Sequence, residues 1–165
     1  MRHKIVLKPN IGINFDGLFI NFSVKSEEIE SIFGLPSEKE EERLYYDNKD
    51  LTFEFDKQNR LIYIGFGLNT EGLSIYNYDI DQYYVSLDEF IDMLLEHTDD
   101  METINNGNNS SLVFLFKDIC IRLAVEFFDD FYYEDEKDKD DDINGKYVII
   151  ELGIGTNEHF YFKNE

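Results

Sequence analysis

The stretch Leu51-Thr52-Phe53-Glu54-Phe55-Asp56, then Lys57-Gln58-Asn59-Arg60, then Leu61-Ile62-Tyr63-Ile64-Gly65-Phe66 decides the fold. Apolar and polar residues alternate up to Asp56, four polar residues interrupt, and an apolar run returns. Period-two alternation places successive side chains on opposite faces of a strand, so the segment predicts an antiparallel hairpin. A second hairpin is predicted from Leu112-Val113-Phe114-Leu115-Phe116, the tight polar pair Lys117-Asp118 and the run 119–127.

Each hairpin follows a predicted helix. Ser26 stands as N-cap before Glu27 and Glu28, which suit the positive end of a helix dipole. Ile29, Ile32 and Phe33 fall on one face, Gly34 can take the left-handed residue at the end, and Pro36 stops continuation. In the second half Ser86 and Glu89 form a capping box, with Val85 placed to staple onto Phe90. Leu87, Phe90, Ile91, Leu94 and Leu95 make one apolar stripe.

The halves correspond in order. Gly17-Leu18 and Ile20 answer Gly72-Leu73 and Ile75, Ser26 answers Ser86, and Leu51, Phe53 and Phe55 answer Leu112, Phe114 and Phe116. The offsets run from about 55 to 61 residues, which predicts a duplicated unit of helix followed by strands. The expected fold class is α+β: two tandem helix-plus-antiparallel-strand repeats forming one two-layer domain, with one antiparallel sheet and both helices on one side. Repeat one covers about 11–67 and repeat two about 72–165, in a single domain 1–165. The segments 147–152 and 159–162 read as closing strands.

The pattern Lys8-Pro9-Asn10-Ile11-Gly12, Ser26-Glu27-Glu28-Ile29-Glu30, Phe33-Gly34 with Pro36, and Tyr45-Tyr46 before the first hairpin resembles a known kind of protein. It is similar to small acidic tandem-repeat α/β bacterial proteins of the immunity and inhibitor type, whose plan is shared by the β-lactamase inhibitory protein. The outer-membrane assembly lipoproteins resemble a single copy of the unit. The resemblance covers roughly residues 8 to 127, and it implies the repeat architecture and a role beside a secreted or contact-delivered toxin.

Charge points to the class of partner. Fifteen Lys and Arg stand against thirty-six Asp and Glu, a net −21. Such a surface repels nucleic acid and anionic membrane and attracts cationic proteins. The densest acid lies at 129–142, inside an expected insertion at 129–146, with Phe131, Tyr132 and Tyr133 among the carboxylates. Aromatic rings supply contact area while acids pair with Arg or Lys, so Asp129, Asp130, Tyr132, Tyr133, Glu134 and Asp135 are the expected partner-binding residues. The simpler reading of this run is a solvated loop that aids solubility.

Other motifs carry less. Asp140, Asp142, Asn144, Gly145 and Glu151 fit the spacing of an EF-hand calcium loop. That loop needs a helix on each side, and the outgoing 147–150 segment is strand-like, so a chance match at an acidic turn is the preferred reading. Cys120, the only cysteine, sits in an apolar run as an inert buried thiol. The tyrosines around 76–84 read as core residues with hydroxyls at water. His3, His97 and His159 are scattered, with His97 suited to a helix C-terminus. Gly65-Phe66-Gly67 and Gly153-Ile154-Gly155 are too short for phosphate cradles.

The expectation is a non-catalytic cytoplasmic protein without cofactor, membrane segment or nucleic-acid partner. It would neutralise a basic toxin domain of the nuclease type. The alternatives are a calcium-binding module at 140–151 and a non-catalytic adaptor domain.

Overall fold

The computed structural model describes residues 3–82, 84–105, 111–128 and 146–162. The elements run β1 (Ile5–Lys8), β2 (Gly12–Phe15), β3 (Leu18–Asn21), α1 (Ser26–Phe33), β4 (Glu38–Lys39), β5 (Arg43–Tyr46), β6 (Leu51–Phe55) and β7 (Leu61–Gly67). They continue with β8 (Leu73–Ile75), β9 (Tyr78–Ile80), α2 (Leu87–Leu95), β10 (Met101–Asn105), β11 (Ser111–Phe116), β12 (Ile121–Phe128), β13 (Lys146–Gly155) and α3 (Asn157–Phe162). The chain is α+β and mostly strand.

Both predicted hairpins form. In the first, β6 pairs antiparallel with β7, and the Asp56 carboxylate closes the turn by accepting the backbone N–H groups of Gln58 and Arg60. In the second, β11 pairs with β12, but the turn is longer than the pair Lys117-Asp118. Cys120 takes a positive φ of 50° and its N–H bonds to the Lys117 carbonyl, so the strand begins at Ile121.

The expected single antiparallel sheet is corrected to two. A five-stranded sheet has the order β3-β2-β1-β8-β9, and an eight-stranded sheet the order β10-β11-β12-β13-β7-β6-β5-β4. In the smaller sheet β1 and β8 run parallel, with Ile5 opposite Leu73. Period-two patterning marks strands but does not choose their neighbours, and β1 joins a strand nearly seventy residues away.

The helices differ from expectation in detail. Ser26 is the first helical residue of α1 rather than its cap; Lys25 occupies that place, and the Glu28 carboxylate reaches back to the Lys25 N–H at 3.1 Å. Ser86 caps α2 as predicted, its hydroxyl accepting the Glu89 N–H at 3.5 Å. The expected strand at 159–162 is helix α3, whose first turn is anchored at Thr156: its hydroxyl accepts the His159 N–H and its carbonyl the Phe160 N–H.

One buried apolar cluster joins both sheets and the two longer helices. It includes Ile13 and Ile75 of the small sheet, Ile29 of α1, Phe90 and Leu94 of α2, and Phe53, Phe66, Leu123 and Leu152 of the large sheet. Phe33 at the end of α1 packs edge-on against Phe15 and tilted against Phe53, which ties the helix to both sheets. These elements therefore cover one face of the eight-stranded sheet. Its other face carries a smaller cluster of Tyr63, Val113, Leu115, Cys120, Ala124 and Phe160.

Candidate partner-binding face

The same alternation that buries Phe53, Ile64, Phe66 and Leu152 sends Thr52, Glu54, Tyr63, Arg122 and Glu151 to the opposite face of the large sheet. Beside them Gly65 of β7 lies directly across from Gly153 of β13. A Cβ at Gly153 would overlap the Tyr63 hydroxyl, so the tyrosine ring lies across the bare backbone there. Glycine in a strand interior permits such a close approach.

Two irregularities frame this arrangement. The β6–β7 register shifts just after Glu54 and Tyr63, and the β12–β13 register shifts just after Ala124 and Glu151. A bulge bends its strand and re-aims neighbouring side chains. Here both shifts stand next to residues of the open face.

The polar groups are joined in pairs. The Tyr63 hydroxyl donates to Glu151 Oε1 at 2.5 Å, and Arg122 Nη1 reaches the same oxygen at 2.5 Å. Arg43 Nη2 pairs with Glu54 Oε1 at 2.9 Å, while Tyr45 donates to Glu40 at 3.2 Å. His159 of α3 stacks on Tyr63 with centroids 4.6 Å apart and 18° between planes. Its Nδ1 lies 3.9 Å from Glu54 Oε2.

Burial and Glu151 push the Tyr63 phenol well above its usual range. Burial alone would lower the Arg122 guanidinium, but Tyr63 and Glu151 hold it above its ordinary value. Arg43 is raised by its hydrogen bond to Tyr45 and, against burial, by Glu54 and Glu40. At pH 7 the Tyr63 phenol therefore keeps its proton and both guanidiniums are charged.

A groove of about 400 Å³ runs over it, lined by Arg43, Tyr45, Thr52, Glu54, Tyr63, Arg122, Glu151 and His159. A neighbouring groove of about 440 Å³ shares Arg43 and Glu54 and is rimmed by Glu40, Glu41 and Glu42. Together they are lined by five glutamates and two arginines.

The residues expected from sequence fall partly elsewhere. Asp129, Asp130, Tyr132, Tyr133, Glu134 and Asp135 lie outside the described residues, as do Asp140, Asp142 and Asn144. What is described is where the acidic run is rooted. Phe128 at the end of β12 is directly opposite Lys146 at the start of β13, and Phe127 packs edge-on against Tyr147 at 5.2 Å. The run thus connects two adjacent strands of the large sheet.

Glu151 sits in β13 with its carboxylate on Arg122 and Tyr63. Among the described residues no group of three His, Cys, Asp or Glu could hold a metal ion. Cys120 is buried, and desolvation pushes its thiol up to about 11. His97 lies just past α2 and stacks on Tyr76 at 3.6 Å. Among the described residues no helix is long and apolar enough to cross a membrane.

Sequence reasoning missed Arg43, Tyr63, Arg122 and His159. The available signal was Gly65-Phe66-Gly67 and Gly153-Ile154-Gly155: two glycines at period two leave a strand face bare. No protein family, no curated protein and no solved structure matches this chain.

Proposed function

We propose that this protein is an inhibitor of the immunity type, which binds and neutralises a basic toxin domain in the cytoplasm, the toxin being of the nuclease class. It acts by binding, without catalysis or cofactor. The observation that carries this reading is charge: thirty-six acids against fifteen bases, on a chain with a built core. Electrostatic attraction of this size steers encounter with a cationic partner and excludes anionic ones.

The contact surface is the acidic connection, with Asp129, Asp130, Tyr132, Tyr133, Glu134 and Asp135, continued onto the open face of the large sheet. Arg122 and Glu151 lie on β12 and β13, the two strands that the connection joins. The calcium reading is less favoured, because the Glu151 carboxylate is engaged by Arg122 and Tyr63. The test is a search of the gene immediately upstream for a basic toxin domain, followed by co-expression with it. Restored growth is expected, with association in vitro slowing steeply as salt rises. Reversing Asp129, Asp130, Glu134 and Asp135 to lysine should slow association at least about tenfold. Undiminished binding would discard this surface, and absence of protection would discard the function.

The duplication also belongs to this reading. Two hairpins with positive φ at both turn residues, Asp16-Gly17 (50°, 89°) and Tyr76-Asn77 (48°, 65°), each precede a helix. An antiparallel meander follows each helix, β4-β5-β6-β7 after α1 and β10-β11-β12 after α2. These supports pair Gly17 with Asn77 rather than with Gly72. Superposing residues 12–67 on 73–128 should align β2, β3, α1, β5, β6 and β7 with β8, β9, α2, β10, β11 and β12 in order, leaving β4 unmatched; elements out of step would refute the duplication.

A further inference from the structure

Among the described residues the most exposed large apolar side chain is Leu35, at 88%. It stands two residues past the end of α1, and Ile32 in the last turn of that helix is exposed as well. A hydrophobic residue at this place commonly packs back on the last turn of its helix. Leu35 lies in solvent instead.

The turn that carries it is fixed on both sides. Gly34 takes a φ of 84°, and its N–H bonds to the Glu30 carbonyl at 2.9 Å. The buried Tyr46 donates its hydroxyl to the Gly34 carbonyl at 2.9 Å, and the Ser37 N–H bonds to the Tyr45 carbonyl at 2.7 Å. The backbone on either side of Leu35 is thus already ordered, so covering the side chain costs little further ordering.

Charge around the leucine indicates what covers it. Residues 26–42 hold seven glutamates and one lysine. Four of the glutamates are engaged: Glu27 by Asn59, Glu28 by the Lys25 N–H, Glu30 by Lys39 and Glu40 by Tyr45. The other three, Glu38, Glu41 and Glu42, are exposed, and among the described residues no hydrogen bond or ion pair engages their carboxylates. The negative end of the α1 dipole lies here too, with no basic residue in the last turn to offset it. A short charged edge strand blunts sheet pairing, which accounts for Glu38 and Lys39 on β4 but not for an exposed leucine beside them.

We propose that the end of α1 and the β4–β5 turn form a docking surface for a basic amphipathic protein segment. The apolar side of that segment covers Leu35 and Ile32. Its Lys or Arg side chains meet Glu38, Glu41, Glu42 and the last carbonyls of α1. Strand β4 is two residues, about 7 Å long, so one segment of a few turns spans both the leucine and the 40–42 turn. Burial of the leucine supplies affinity, and the unpaired carboxylates select for cations. The surface deepens the inhibitor reading and rests on it for a basic partner, yet its test needs no toxin.

The test is a titration of the full chain with a synthetic helical peptide, leucine on one face and lysine elsewhere, followed by NMR of amides and methyls. Shifts are expected at Ile32, Leu35 and residues 38–42. Leu35→Ser, at a side chain outside the core, should weaken binding at least about fivefold. Glu41→Lys with Glu42→Lys should weaken it as much and flatten its dependence on salt. Leu18→Ser, at the exposed leucine of β3, should leave the affinity unchanged. A second peptide with serine in place of leucine should lose the shifts at Leu35. Shifts confined to other residues, equal binding of the serine peptide, or an affinity indifferent to Leu35→Ser would overturn the surface. Shifts at Leu35 without protection of growth in co-expression would support the surface and fail the inhibitor reading alone.

Discussion

The two faces of the eight-stranded sheet are made by the same strands and have opposite chemistry. On one, Phe53, Phe66, Leu123 and Leu152 pack under the helices and the smaller sheet. On the other, Tyr63 and Arg122 are held by Glu151, and Arg43 by Glu54, beside paired glycines. Shape and apolar area stabilise the first face, while specific polar partners hold the second in one geometry. The first therefore bears most of the folding energy, and the second holds charged groups in fixed pairs.

The strongest way to break the comparison is Phe53→Ala. It should cost about 3–5 kcal/mol in urea unfolding, the range for deleting a buried ring. An equal loss from any polar substitution on the open face would erase the distinction. Next comes Gly153→Val, whose side chain must displace Tyr63. About 1–3 kcal/mol should be lost, and the near-ultraviolet tyrosine signal should change.

Tyr63→Phe is milder, losing about 0.5–1.5 kcal/mol with the hydrogen bond to Glu151. This substitution also sharpens the alkaline behaviour. Burial pushes Tyr46 up to about 12 and Tyr63 well above its usual range. In the unfolded chain both phenols ionise near pH 10. The unfolded state thus releases protons first, and stability present below pH 10 is lost as pH rises toward 12. Unfolding curves at pH 8 to 12 should show that fall, with a shallower slope for Tyr63→Phe. The smallest effect is expected for Glu54→Gln, at most about 1 kcal/mol for a pair open to water through Arg43.

Legibility in the sequence followed the range of the interactions. The hairpin of β6 and β7 and the cap at Ser86 were readable, because alternation and capping act over a few residues. Helix α3 is not: His159-Phe160-Tyr161-Phe162 is an apolar-aromatic run, and the structure shows its first turn bonded to Thr156 with Phe160 packed on the sheet. The parallel pairing of β1 with β8 lay equally beyond reach, since strands so far apart in the chain carry no mark of being neighbours.

The candidate face divides in the same way. In the sequence Glu151 stands out only as the last position of a loop motif, whereas in the structure its carboxylate is engaged by Arg122 and Tyr63. Those three residues are separated by 29 and 88 positions and meet only because β12, β13 and β7 lie side by side.

The sequence by itself determined the acidic charge, the strand alternation, the two longer helices and the Ser86 cap, because each is a property of composition or of near neighbours. Tertiary structure alone decided that the strands form two sheets and that α3 packs on the second face of the larger one. It also decided that an arginine, a tyrosine and a glutamate from three distant segments share one hydrogen-bonded cluster. Those outcomes depend on which strands pair and where bulges fall. Both are settled by long-range packing, to which short-range patterns are blind.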